Sequence, residues 1–225
     1  MLYIAVAAVV LLGLLAYWEL VIAEGAHLGP GVVVWLYDLT APRYDRIKKF
    51  DLEIEDGTLG LPLAARLAAV ESPRVLDVAA GTGRVARALL RQPAFDGRVV
   101  NLDLAGRMLA EGQRACSAWP GRLDWVRAPA GALPFAAETF DAVTCLEALE
   151  FLPDARATLA ECARVLRPGG VLLVTNRVGV EARLLPGKTF RPAAFEQLLR
   201  ALPLCQVEVE RWQVEYDLGW AVKGG

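Results

Sequence analysis

The sequence predicts an α/β domain, a doubly wound seven-stranded and mostly parallel sheet covered by helices, preceded by one hydrophobic helix. Three observations predict it. From Arg74 onward, short apolar runs of strand length alternate with stretches of helical periodicity. The first such run ends in a glycine turn that opens directly into a helical pattern, "VLDVAAGTGRVARALL". The residues before Glu24 carry a single charged side chain, Glu19.

At about 1.5 Å per residue, Leu2 to Ala23 reaches roughly the thickness of a hydrocarbon core, so residues 1–27 are expected to be a transmembrane or membrane-anchoring helix. Tyr17 and Trp18 read as an interfacial aromatic pair, with Glu19 beside them at headgroup level. A cleavable signal peptide is the rival reading, since Ala23-Glu24-Gly25 offers a small-x-small site, but no basic stretch precedes the apolar run. The first cations, Arg43, Arg46, Lys48 and Lys49, follow the apolar segment, so the remainder of the chain is expected in the cytoplasm, with the chain single-pass or peripheral at the membrane. His27, the only histidine, reads as a polar residue at the membrane interface in preference to a catalytic base. Residues 28–58 are expected to be a linker and lid; within them "GPGVVVWLYDL" either lies in the membrane surface or packs on the domain.

The domain itself is expected over residues 59–225. An amphipathic helix over 59–70 is stopped by Ser72-Pro73, and a buried strand follows over 74–78. The helix starting near Arg84 leads to strand "RVVNLDL", a helix from Ala105 to about Trp119, strand "LDWVRA" and strand "FDAVTCLEAL". Then come a helix over 155–166, a turn at "RPGG", strand "VLLVTN", helix "PAAFEQLLRAL" and two strands joined by a short turn. Alternation of this kind builds a parallel sheet with right-handed crossovers, and the short last connection makes an antiparallel strand at one edge.

A chain of 225 residues accommodates one such domain plus an appendage. With a net charge of −2 and no dense Lys/Arg run, it lacks the footprint of a nucleic-acid binder. Cys116, Cys145, Cys162 and Cys205 are widely spaced with no C-x-x-C pair, which argues against a disulfide framework or a zinc site and for reduced thiols. No metal is expected.

In a doubly wound sheet, ligands bind beyond the carboxyl ends of the strands, where strand order reverses. Gly81 and Gly83 free the backbone there for positive φ and for close approach to a helix N-terminus. Asp103, twenty residues after Gly83 and closing the second strand, can accept both hydroxyls of a ribose. These features also suit a nicotinamide dinucleotide, since "GTGRVA" fits G-x-G-x-x-A. Asp77 separates the two possibilities: a carboxylate four residues before Gly81 repels a pyrophosphate, whereas it attracts the ammonium and sulfonium of S-adenosylmethionine.

The stretch D-x-A-x-G-x-G, followed in order by "NLDLAGRML", "ALPFAAETFDAVTCLEALEFLPD" and "RVLRPGGVLLVTN", resembles the class I S-adenosylmethionine-dependent methyltransferases. Within them it is similar to the branch that includes the ubiquinone and menaquinone biosynthesis methyltransferases. The resemblance, over about residues 44–223, implies S-adenosyl-L-methionine as cofactor. It implies Asp77 near the methionine amino group, Ala79, Gly81 and Gly83 in the loop, Asp103 on the ribose, and Leu104 and Met108 near adenine. Ala79 stands where the family usually has glycine. Pro129 stands where the family often has an aspartate for the adenine amino group, so that contact is expected to be lost or to be replaced by the backbone of Ala130. Glu147 matches the position facing methionine and acceptor and is the candidate catalytic residue; Tyr44, in "YDLTAPRYD", is the candidate lid residue over the cofactor.

Methyl transfer from a sulfonium is an in-line displacement, for which orientation alone contributes about 7 to 11 kcal/mol. An acceptor oxygen or carbon can also call for a base, and Glu147, Glu150 and His27 are the candidates. The expected activity is methylation of a lipid-soluble small molecule, a quinone precursor or a phospholipid. The alternatives are a non-catalytic cofactor-binding membrane scaffold, a nicotinamide-dependent oxidoreductase, and an enzyme whose anchor is only an address.

Overall fold

Val75 and Leu76 are both fully buried, although adjacent strand residues point to opposite faces. Strand β1 (Arg74–Val78) therefore has covered surfaces above and below, and its neighbours define two cores. Leu76, Val78, Val143, Leu172 and Val174 pack in one, and Val75, Val99, Ala142 and Leu173 in the other. Continuous apolar runs are what a parallel sheet covered on both faces requires.

The computed structural model describes residues 1–225. Helix α1 (Leu2–Tyr17) ends in a wider turn, Trp18–Ile22. Next come α2 (Pro30–Thr40), α3 (Tyr44–Lys48), α4 (Leu52–Glu55) and α5 (Leu61–Leu67). After β1 the chain runs through α6 (Arg84–Leu90), β2 (Arg98–Asp103), α7 (Gly106–Ala115), β3 (Leu123–Arg127) and β4 (Phe140–Cys145). It continues through α8 (Ala155–Val165), β5 (Leu166–Arg177), α9 (Gly179–Arg183), α10 (Pro192–Arg200), β6 (Leu204–Trp212) and β7 (Tyr216–Lys223).

The seven strands lie in the order β3-β2-β1-β4-β5-β7-β6, all parallel except β7. The order reverses between β1 and β4, so the cleft opens beyond their carboxyl ends.

Several expectations need correction. The antiparallel strand is not at the edge: β7 inserts between β5 and β6. Burial explains the choice, because β7 is buried from Tyr216 to Ala221 whereas β6 exposes Glu208, Glu210 and Arg211, charges suited to an unpaired edge. "RPGG" is not a free turn. It is a bulge inside the long β5, with Gly169 at φ +78°, between the Phe140–Leu166 and Ala142–Val171 pairings. β4 stops at Cys145, short of Leu149, because Glu147 adopts φ +49°. The helix after Ala105 ends at Ala115, ahead of the Pro120-Gly121 breaker. The helix expected over 59–70 is regular only in Leu61–Leu67; before it a wider turn, Asp56–Gly60, lets the chain touch α6 so closely that a Cβ on Gly60 would stand within contact of the Ala88 carbonyl.

The four cysteines are free thiols, with Cys116, Cys145 and Cys162 buried and Cys205 exposed.

Candidate functional site

A cavity of about 340 Å³ lies beyond the carboxyl ends of β1, β2 and β4, at the low end of small-molecule sites. Its floor is formed by Ala79, Gly81, Asp103 and Glu147, one side by Leu104, Met108 and the Pro129–Gly131 backbone, and its roof by α2 and Tyr44. "GPGVVVWLYDL" thus packs on the domain and closes the cleft.

Asp103 is the polar anchor of that floor. Its Oδ2 accepts the Gly81 amide at 2.8 Å and its Oδ1 the Ala105 amide at 2.8 Å. Each oxygen keeps a further lone pair for a ligand hydroxyl. Burial raises the Asp103 pKa, and the amides of Ala105, Gly81 and Leu104 pull it back. Gly81 is at φ +54°, and a Cβ there would stand 3.2 Å from Met108 Cε, which leaves a bare backbone in the cavity. Ala79 adopts φ +56°, the conformation that explains glycine as the usual family residue; the methyl group carries a strain of about 1 kcal/mol.

Two residues of the expected set stand behind the wall. Gly83, at φ +78°, gives its missing Cβ space to Trp125, whose Cη2 would be 2.9 Å away. Asp77 is 2% exposed and accepts the Thr144 hydroxyl at 2.6 Å. Burial pushes its carboxyl up to about 7, against the lowering effect of the Thr144 hydroxyl, with the charge of Asp103 adding to the rise and Arg84 opposing it. The sign for stability follows from that raised value. The penalty is absent below about pH 4, grows as the pH rises, and is complete above about pH 7, reaching a few kcal/mol. Ligand-free protein is therefore expected to lose urea resistance between about pH 4 and pH 7, and Asp77→Asn to flatten that dependence; an unchanged slope in the variant would assign the loss to other groups.

Glu147 lines the cavity with its carboxylate between two cations, Arg84 Nη1 at 2.6 Å and Lys48 Nζ at 3.6 Å. Glu150 lies outside the cavity lining, 1% exposed, and accepts from Arg177 Nε at 2.7 Å and the Tyr216 hydroxyl at 3.0 Å. His27 is also elsewhere. Its ring stacks on Trp18 with centroids 5.2 Å apart, Nδ1 stands 3.1 Å from Glu19 Oε2, and Nε2 stands 3.1 Å from the Pro186 carbonyl. Glu19 also accepts the His27 amide at 2.9 Å and is buried, and Trp18 packs against Ala23, Ala26, Phe151 and Leu185.

The ion pairs that fasten residues 38–56 to α6 were not among the sequence expectations. Arg84, Arg87 and Arg91 share one face of α6. Arg84 grips Glu55 through Nε at 2.6 Å and Nη2 at 2.7 Å, Arg87 meets Asp45 at 2.6 Å, and Arg91 meets Asp56 at 2.7 Å. Asp45 also accepts the Thr82 hydroxyl at 2.6 Å, and Asp38 caps α7 by accepting the Arg107 amide at 2.8 Å. The signal was present in the i, i+3, i+7 spacing of the arginines against the acids of residues 38–56.

The residues facing the cavity suit an adenosine-bearing donor: a hydroxyl-accepting carboxylate beside a bare glycine, and a narrow apolar wall for a flat base. Comparison with known proteins agrees. The family model "Methyltransferase domain" matches residues 76–174. A demethylmenaquinone methyltransferase of Renibacterium salmoninarum is 34% identical over 184 residues, covering 77% of this chain and 68% of that protein. The ubiquinone/menaquinone biosynthesis C-methyltransferase UbiE of Geotalea daltonii is 31% identical over 144 residues, 62% of this chain and 60% of that relative's length. Among solved structures, the [4+2]-cyclase SpnF shares the fold with a TM-score of 0.69 at 19% identity, over 87% of this chain and 96% of that one. The chain belongs to the class I S-adenosylmethionine-dependent methyltransferases. Within that class it stands on the ubiquinone/menaquinone methyltransferase branch, and its cofactor is S-adenosyl-L-methionine.

Proposed function

We propose that this protein methylates a ring carbon of a reduced, lipid-soluble quinone precursor, and that α1 holds it at a membrane. The observation that carries the acceptor class is the cavity wall beyond the donor residues, where Pro30, Val33, Val34, Phe151 and Leu152 leave an apolar slot under α2. The relatives whose names specify quinone methylation support the same acceptor. Support for the anchor is the 21-residue helical stretch Leu2–Ile22, with a mean hydropathy of 2.3 and almost none of it buried. At about 1.5 Å per residue it matches a bilayer core.

When bound, S-adenosylmethionine supplies an electrophilic methyl carbon. Asp103 and Gly81 would hold the ribose, Leu104, Met108 and the Ala130 backbone the adenine, and Asp77 would favour the cationic end from below. Tyr44 closes the roof; burial keeps its phenol well above the usual value, so it acts as a neutral cover. Glu147, fixed by Arg84 and Lys48, serves in this arrangement to position the donor's methionine end.

The test is methyl transfer from labelled donor to a short-chain demethylated naphthoquinol and to a benzoquinol in lipid vesicles, read by mass spectrometry. A product heavier by one methylene supports the reading. Binding of S-adenosylhomocysteine with no transfer to either quinol, or to phospholipid, would favour a cofactor-binding scaffold. Removal of residues 1–27 is expected to leave donor binding intact and to release the protein from vesicles on flotation.

A further inference from the structure

We propose that Tyr37 and Glu24 form a two-residue proton relay for the acceptor's ring hydroxyl, an inference that rests on the quinol reading above. The three groups that the sequence suggested as bases are set aside: Glu147 is held by two cations, Glu150 lies outside the cavity lining with Oε1 on Arg177 and Tyr216, and His27 is held by Glu19 and the Pro186 carbonyl. Tyr37, by contrast, lines the cavity and donates its hydroxyl to Glu24 Oε2 at 2.7 Å. Glu24 has no ion-pair partner, and the Tyr37 hydroxyl is its only side-chain hydrogen bond.

The backbone is bent to place it there. Glu24 is at φ +49° and Gly25 at φ +76°, two left-handed residues in succession that fold the chain back from α1 onto α2. For a glutamate this conformation costs about 1 to 2 kcal/mol, strain that persists only where the surroundings enforce it. The neighbouring Gly25 packs closely on α2: a Cβ there would stand 3.0 Å from Val32 Cγ1 and 3.1 Å from Leu36 Cδ1. The Tyr37 ring is held between Tyr44, 5.9 Å away, and Phe151, 5.8 Å away, and all three residues line the cavity.

An aromatic carbon becomes nucleophilic when its ring oxygen releases a proton. In the proposed step the acceptor O–H proton passes to Tyr37 Oη as the Tyr37 proton passes to Glu24. The ring carbon–methyl bond forms while the methyl–sulfur bond breaks, and that electron pair leaves on the neutral thioether. The hydrogen on the methylated carbon then departs to solvent as a proton, and the proton on Glu24 returns through Tyr37 to the ring oxygen. One proton is released per methyl transferred, and both residues end as they began. The two transfers are concerted, because burial and the facing Glu24, Tyr44 and Glu150 hold the Tyr37 phenol well above its ordinary value and disfavour a free phenolate.

The test uses the full chain in vesicles with the naphthoquinol acceptor, and compares Tyr37→Phe, the isosteric Glu24→Gln, and the double variant. Each single change is expected to lower kcat about 100-fold, the scale of general acid–base catalysis, with KM little changed. The double variant should be no slower than either single, as for residues acting as one unit. A ring-halogenated quinol, whose hydroxyl ionises more readily, should recover at least a tenfold part of the loss. Calorimetric affinity for S-adenosylhomocysteine should stay at the wild-type value. Wild-type kcat in Glu24→Gln, losses that multiply in the double variant, or donor affinity falling in step with kcat would each overturn the relay. A wild-type protein that binds S-adenosylhomocysteine but methylates no quinol would overturn the acceptor reading itself, and the relay with it.

Discussion

Asp103→Ala is expected to weaken S-adenosylhomocysteine binding by about 10³-fold, since each hydrogen bond to a charged acceptor contributes about 1.5 to 3 kcal/mol and two ribose hydroxyls lose theirs. A second effect adds to the first. Asp103 is also the partner of the Gly81 amide at 2.8 Å, so the alanine leaves that donor unsatisfied and loosens the turn that must approach the ligand. Asp103→Asn keeps one acceptor oxygen and should fall between the two. Calorimetry with S-adenosylhomocysteine decides: wild-type affinity in Asp103→Ala would remove this carboxylate from the donor site, while a thermal melt of the free protein separates binding from unfolding.

Arg84→Met should cost about 3 to 5 kcal/mol of stability, the range for a buried ion pair that loses one member. The guanidinium is 11% exposed and the Glu55 carboxylate 7%, so the remaining acid would be left without a counter-charge in a place water hardly reaches. The same guanidinium lies over the rings of Phe50 at 4.6 Å and Trp212 at 5.2 Å, which adds packing to the loss. Arg84 joins the lid, through Glu55 and Phe50, to the loop after β4, through Glu147, and to the β6–β7 hairpin, through Trp212. Urea unfolding measures the change, and the companion variant Arg84→Met/Glu55→Leu should recover part of it, because it removes the Glu55 orphan while Glu147 keeps only Lys48, at 3.6 Å. A single variant as stable as the wild type would mean that solvent reaches the pair and screens it.

The parallel strands were legible because an apolar run of five or six residues between helical patterns has few other uses. β1 begins and ends as read, β3 begins as read and stops one residue early, and Asp103 falls at the end of β2 as the spacing requires. The position of β7 was not legible, since a hairpin's sequence reports its turn and not the side of the neighbouring strand on which it lies. Asp77 shows the same boundary for the site. The sequence places an acid near the glycine turn, but whether the carboxylate faces a ligand or lies beneath the floor depends on Thr144, sixty-seven residues away and bonded to it at 2.6 Å.

Tyr37 was passed over because its chemistry needs Glu24, and the bond between them exists only after two left-handed residues reverse the chain. Alternation of apolar period and the order of the glycine and acid motifs are local properties, so the sequence alone determined the doubly wound sheet, the donor class and the apolar leading helix. Only the tertiary structure decided which acids face the cavity, which are held in ion pairs, and that the segment after the leading helix is the roof of the site. Those outcomes depend on contacts between residues far apart in the chain, whose energies no local pattern encodes.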